Sequence, residues 1–236
     1  RMKISKFVTV GENIHCTRIL KVGGKSVTTL DDGTSAIVYK IDGKSRQLPV
    51  PEPFTKINAW KEGKVKHCAV AIWQANYGTG DGKTAGVEYI QHLAAEQAKA
   101  SADYLDINVD EFSTDLDERV RLMKWTVETV QKVVSIPVSI DSSNVRILRA
   151  GLEAADRKRG RPMVNSVSLE RLEAVDLAAE MDAVVIASAA GEKGLPATTN
   201  ERLGNIDRII ALLSSRKFSL SRIHCDPLVF PISTDA

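Results

Sequence analysis

YLDINVDEFSTDLDERVRLMKWTVETVQKVVSIPVSID, residues 104–141, is a strand, a helix and a strand in direct succession. YLDINVD (104–110) alternates apolar and polar residues, the period of a half-buried strand. DLDERVRLMKWTVETVQKVV (115–134) carries its acidic residues first and basic ones later, as a helix dipole favours. PVSID (137–141) is a second strand. Strands joined through a helix form right-handed βαβ units, and such units build a parallel sheet.

The alternation continues in both directions. Upstream, GVEYIQHLAAEQAKAS (86–101) is an Ala- and Gln-rich helix. Downstream, NVRILRAGLEAADRKRG (144–160) is a helix with Gly160 as its stop, and PMVNSVS (162–168) is a strand. The helix LERLEAVDLAAEM (169–181), the strand AVVIAS (183–188), the helix NERLGNIDRIIALLSSRK (200–217) and the strand IHCDPLVF (223–230) follow. With KFVTVGENI (6–14) as the first strand, six strands are expected, near 6–14, 104–110, 137–141, 163–168, 183–188 and 222–227.

Residues 15–85 break this rhythm. AIVYKIDGKSRQLPVP (36–51) is a hairpin around Asp42-Gly43. HCAVAIWQAN (67–76) is expected as another strand, and YGTGDGKTAG (77–86) as a glycine-rich loop. The block is expected to be a β-rich insertion over one face, or an oligomer contact, since structureless loops of that length are uncommon.

Composition sets the class. The chain has 236 residues, 43% apolar, enough for a substantial core, and its net charge is +2. Such a balance gives no pull toward nucleic acid or an anionic membrane surface. No apolar run is long enough to span a bilayer, and the N-terminus does not have the pattern of a signal peptide. Three cysteines, an odd number, do not make a disulfide framework and suit a reducing cytoplasm. Each follows a histidine: His15-Cys16, His67-Cys68 and His224-Cys225. Neighbours on a strand face opposite ways, so the expectation is buried, reduced thiols and no metal site.

Parity then sorts the strand side chains. Leu105, Ile107 and Val109 share one face; Asp106, Asn108 and Asp110 share the other. Ser139 goes with Asp141, Met163 with Asn165 and His224 with Asp226. Polar groups on several strands thus face inward at the C-terminal ends, where a parallel barrel keeps its active site. The bland alternative is helix capping, a role for which Ser142 or Ser143 is well placed. Capping explains any one of these residues better than it explains Asp106, Asn108, Asp141, Asn165 and Asp226 together.

GENIH (11–15), LDINVDE (105–111), IDSSN (140–144), MVNS (163–166) and DPLVFP (226–231) together resemble the pterin-binding barrel family. That family contains dihydropteroate synthase and the methyltetrahydrofolate:corrinoid methyltransferases. Five motifs in order, over nearly the whole chain except 15–85, are most similar to the methyltransferase branch. The resemblance implies one domain over 1–236, an α/β (β/α)8 TIM barrel with six βα units visible and a β-rich insertion after strand 1. It implies a further Asn at the end of a seventh strand, absent from this chain, so the chain is expected to be incomplete beyond Ala236.

By the same resemblance, Asp141, Asn165 and Asp226 would hold the aminopyrimidine edge of a pterin. Asn108, Glu12, Asp106 and Ser166 would line the same cup. Arg202, in EKGLPATTNER (192–202), would meet the folate tail at the rim. The implied reaction moves a methyl group between N5 of tetrahydrofolate and the cobalt of a corrinoid. The corrinoid (cobalamin) would be carried by a partner protein, and the enzyme would be a cytoplasmic homodimer. A synthase would need a glycine- and serine-rich loop after the second strand for its diphosphate. LDINVDEFSTD offers carboxylates there, which repel a diphosphate. The remaining alternatives are that synthase activity and a non-catalytic pterin- or folate-binding protein.

Overall fold

A computed structural model describes residues 7–229. In chain order its elements are β1 (Val10–His15), β2 (Ile19–Lys21), β3 (Val27–Thr29), β4 (Ser35–Ile41), β5 (Lys44–Pro49), α1 (Glu52–Thr55), α2 (Asn58–Lys61), β6 (Lys64–Lys66), α3 (His67–Tyr77), α4 (Gly80–Lys99), β7 (Tyr104–Asn108), α5 (Leu116–Val130), β8 (Val138–Asp141), α6 (Val145–Ala154), β9 (Met163–Val167), α7 (Leu172–Glu180), β10 (Val184–Ser188), α8 (Thr199–Ser215) and β11 (Ile223–Asp226). The chain divides into two compact units, Arg1–Ile136 and Pro137–Ala236. All six expected parallel strands are present: β1 and β7 in the first unit, β8 to β11 in the second. The expected starts at Lys6 and the tail residues Phe230 and Pro231 lie outside the described residues.

In the first unit β1 and β7 pair in parallel, Ile14 with Ile107 and His15 with Asn108. The hairpin expected at Asp42-Gly43 is there: β4 and β5 pair antiparallel up to Ile41 and Lys44, with φ of 47° and 75° at the two turn residues. Positive φ at both is the type I′ geometry that matches strand twist. The excursion is β-rich only as far as β6, which pairs with β2.

Beyond Lys66 the expectation fails. HCAVAIWQAN is not a strand but the helix α3, and the glycine-rich stretch is not a loop but the start of α4. Eight of the eleven α3 residues are buried. A helix buried on all sides loses its amphipathic period and looks like a strand core in the sequence. One of the glycines of α4, Gly86, serves helix packing. A Cβ on Gly86 would stand 2.5 Å from the Ala71 carbonyl oxygen and 2.6 Å from the Ala75 nitrogen. Two backbones approach there more closely than any side chain allows.

In the second unit β8, β9, β10 and β11 lie side by side, all parallel. Ile140, Val164, Val185 and Ala187 are wholly buried on one face. Burying each aliphatic side chain of that size contributes about 1.5–3 kcal/mol. α6 closes on this face: a Cβ on Gly151 would come within 2.7 Å of Ile140 Cγ2. Helix ends are fixed locally. Asp115 accepts from the Asp117 and Glu118 amides to start α5, and Thr198 forms a capping box with Glu201 to start α8.

Three local expectations are corrected. α6 is capped by Asn144, which accepts from the Arg146 amide, and not by Ser142 or Ser143. Ser142 instead accepts from the Asn144 amide, forming the turn before that cap. α6 ends at Ala154, and Gly160 (φ 124°) closes a short 3-10 turn at Arg157–Arg159. Cys16 and Cys68 are buried as expected, but Cys225 is exposed.

Candidate functional site

The polar positions of the second unit meet at one edge of its sheet. Asp141 is the direct cross-strand partner of Asn165, Asn165 of Ile186, and Ile186 of His224. Two residues further along, Ser188 pairs with Asp226. Alternation puts all six on the face opposite Ile140, Val164 and Val185. Neighbouring strands lie about 4.8 Å apart, so Asp141 and Asn165 are adjacent, while Asp226 lies two strands beyond Asn165 with β10, carrying Ile186 and Ser188, between them. Asp141, Asn165 and Asp226 are each half-buried, held in place yet within reach of a ligand.

Local sequence shapes each position. The ladder between β9 and β10 shifts after Asn165, leaving Ser166 as the extra residue. Ser166 Oγ accepts a 2.9 Å hydrogen bond from Arg171 Nη2. Asp226 Oδ1 accepts from the Leu228 amide at 2.9 Å, an Asx turn that ends β11 at Pro227. Its Oδ2 has no hydrogen-bond partner among the described residues. The Asx turn caps no helix among the described residues.

The other expected residues belong to the first unit. Asp106 is fully buried, and its Oδ2 lies 2.7 Å from Nε2 of His15. Asn108, 8% exposed, uses Oδ1 to accept from the Asp110 amide. Glu12 sits where the β1–β7 register shifts. Its exposed carboxylate takes a 2.7 Å ion pair from Arg18. Arg202 is half-buried on the first turn of α8, and its side chain has no ion-pair partner among the described residues.

Two residues near these positions escaped the sequence reading, His15 and Arg171. The signal for His15 was its parity match with Asp106 on the strand next to it. No local pattern marks Arg171, whose bonds depend on two separate segments, the loop after β8 and the end of β9.

Clefts lie elsewhere on each unit. One of about 520 Å³ in the first unit is lined by Phe54, Trp73, Tyr77, Phe112, Lys66 and Glu118. Another, about 600 Å³, lies at the N-terminal ends of β9 and β10 between Arg157, Arg161, Glu180 and Asp182. Its Arg161 is paired with Asp182, and Glu180 with Arg149, as in a structural ion network. Nucleophilic thiols are not available in the interior. Burial pushes the Cys68 thiol up to about 12 and Cys16 well above its ordinary value, so both stay protonated near neutral pH.

The family model described as pterin binding enzyme matches residues 79–225, more than half of the chain. The chain belongs to the pterin-binding enzyme family. Within this family it is 28% identical over 152 residues to the methylcorrinoid:tetrahydrofolate methyltransferase of Eubacterium limosum, across 62% of this chain and 54% of that protein. It is 29% identical over 151 residues to the methionine synthase of Mycobacterium leprae (strain TN), across 60% of this chain and 12% of that protein. The chain thus spans about half or less of these curated relatives. Among solved structures, the dihydropteroate synthase of Stenotrophomonas maltophilia aligns over 62% of this chain and 56% of its own, with 22% identity and a TM-score of 0.46. The matched region of this pterin-binding enzyme holds Asp141, Asn165 and Ser166 and stops at Cys225, one residue short of Asp226. Among the described residues no helix is long and apolar enough to cross a membrane.

Proposed function

We propose that this pterin-binding enzyme is a methyltransferase of the methyltetrahydrofolate:corrinoid type, built on a (β/α)8 barrel. The observation that carries the reading is the cross-strand pair Asp141 and Asn165 with Asp226 at the same sheet edge. The aminopyrimidine edge of a pterin offers a ring N–H and an exocyclic amine as donors, and a ring nitrogen and a carbonyl as acceptors. Carboxylates answer the donors, and a carboxamide answers both kinds. Asp141 and Asp226 take the N–H groups in this reading, and Asn165 takes the mixed edge. Short side chains on strand ends lose little rotamer entropy on binding, so they orient a flat ring well.

Similarity to the methylcorrinoid:tetrahydrofolate methyltransferase favours this activity over the synthase. The methyl carbon–N5 bond breaks as the methyl carbon–cobalt bond forms, with N5 keeping the electron pair and taking a proton. The chain's own part is to hold the ring, aim N5 outward and exclude competing water, while the corrinoid of a partner protein is the second substrate. Glu12, Asp106 and Asn108 are proposed as further pterin-binding residues. Ser166 is proposed to fix the loop beside Asn165, and Arg202 to meet a folate carboxylate. A homodimer in the cytoplasm fits the same reading.

The test is spectroscopic. Protein, methyltetrahydrofolate and Co(I) cobalamin are mixed, and the cobalt absorbance is followed to the methylated form. Turnover that Asp141→Ala abolishes, with a folate Kd raised at least tenfold, supports the reading. Formation of dihydropteroate from p-aminobenzoate and a pterin diphosphate, without methyl transfer, would replace it with the synthase.

A further inference from the structure

Arg171 stands just before α7, on the loop that leaves β9, and is half-buried. Its guanidinium reaches in two directions. Nη1 donates to the carbonyl oxygen of Ser142 at 2.9 Å, and Nη2 donates to Ser166 Oγ at 2.9 Å. Ser142 follows Asp141, and Ser166 follows Asn165. One planar group therefore ties the loop that leaves β8 to the end of β9, each one residue beyond a member of the cross-strand pair.

Several details make this a built contact. Ser142 is 1% exposed, so its backbone has no bulk water to turn to. Ser142 also holds the turn into the Asn144 cap, so the loop after Asp141 is anchored at both ends. The loop that carries Arg171 is anchored by Leu169, 3% exposed, and by the Arg171 amide donating to the Ser168 carbonyl. Arg171 has no carboxylate partner among the described residues, so its placement is set by these two acceptors alone. Parallel neighbours such as β8 and β9 share a ladder up to Asp141 and Asn165. After those residues the β8–β9 ladder stops while β9 runs on beside β10 to Val167, and the Arg171 side chain links Ser142 to Ser166 across that gap.

We infer that Arg171 is a positioning residue for pterin binding, acting through Ser142 and Ser166 to hold Asp141 and Asn165 at a fixed separation. This inference rests on the pterin-binding role proposed above for that pair. Arginine suits the task because its two terminal nitrogens form a rigid fork, whereas lysine offers one flexible point of charge.

The experiment compares Arg171→Ala, Arg171→Lys, Ser166→Ala and Asp141→Ala in the full chain. Methyltetrahydrofolate Kd is read by calorimetry, KM and kcat by the cobalt assay, and folding by thermal melting. Arg171→Ala is expected to raise Kd and KM about tenfold with kcat nearly unchanged, and Arg171→Lys to recover little of it. Ser166→Ala, which removes one acceptor only, is expected to raise Kd by a few-fold and to add nothing to Arg171→Ala. A structural role alone would lower the folded fraction, reducing apparent kcat at constant KM, and that result overturns the inference. So does an unchanged Kd in Arg171→Ala where Asp141→Ala loses binding. An unchanged Kd in Asp141→Ala would instead overturn the pterin-site reading, and the inference with it. If Arg171→Ala does not fold, Ser166→Ala decides: an unaltered Kd there rejects the bridge.

Discussion

His15 Nε2 lies 2.7 Å from Oδ2 of Asp106, a carboxylate with no solvent exposure. The two residues are 91 positions apart, on the paired strands β1 and β7. A buried carboxylate that loses one donor forfeits that hydrogen bond's contribution while its desolvation cost stays. His15→Ala is therefore expected to lower unfolding free energy by about 1–3 kcal/mol. Urea denaturation checks it, and a change below about 0.5 kcal/mol would mean that the pair contributes nothing net.

His67 gives a pH signature. Burial, with the positive charge of Arg18 as a smaller cause, lowers its pKa to about 4. The neutral ring accepts from Tyr89 O–H at Nδ1, 3.1 Å away. An unfolded histidine titrates near 6.5, so between about pH 6.5 and pH 4 the unfolded chain takes up a proton that the native chain refuses. This contribution to stability is complete above about pH 6.5 and declines as pH falls, by about 3 kcal/mol in all. His67→Gln keeps an acceptor for Tyr89 but cannot titrate. Its stability should fall less steeply over that window, by up to one proton's worth of slope, in denaturation curves at a series of pH values.

Gly86 is the point where α3 and α4 touch. Its missing Cβ leaves room for the Ala71 carbonyl and the Ala75 amide nitrogen, both backbone atoms that cannot rotate away. Gly86→Ala should destabilise by about 1–3 kcal/mol despite alanine's better helix propensity. A rise in melting temperature would show that the helices separate freely.

Asn165→Asp places a carboxylate directly across from Asp141. Like charges on opposed positions repel, and one of the two carboxyls must hold its proton to higher pH. Folate affinity at pH 7.5 should drop about tenfold or more, as expected from losing a mixed donor–acceptor and adding charge. Part of it should return near pH 5.5, a trend that calorimetry at the two pH values would reveal or refute.

Asp182 supplies the contrasting case. It pairs with Arg161 and Arg222 at the N-terminal end of the second unit's sheet, with both pairs exposed on the Asp182 side. Asp182→Asn should change stability by less than about 1 kcal/mol and leave methyl transfer untouched. A large loss of activity would mean that this cleft takes part in function.

Much of the site was legible because its grammar is local. IDSSN, MVNS and IHCD each end a strand with a polar residue, and a period of two fixes which face it occupies. The row Asp141, Asn165, Ile186 and His224 follows once the strands are parallel and adjacent. What could not be read was partnership. Asp106 was legible as an inward polar group, but parity alone did not say that His15 on the next strand would be its partner. Arg171 looked like any loop cation until Ser142 and Ser166, which it bridges, were folded beside each other.

The amino-acid order alone determined the βα alternation, the strand-end positions of Asp141, Asn165 and Asp226, and the hairpin at Asp42-Gly43. Period and turn chemistry are properties of neighbouring residues, so no distant contact is needed to express them. Only the tertiary structure decided that HCAVAIWQAN is a helix, that Gly86 is a packing point and that His15 belongs to Asp106. An all-apolar run satisfies either backbone, and the choice falls to whichever neighbour covers it. In α3 that choice is expressed as burial on every side, with α4 seated against it where Gly86 has no side chain.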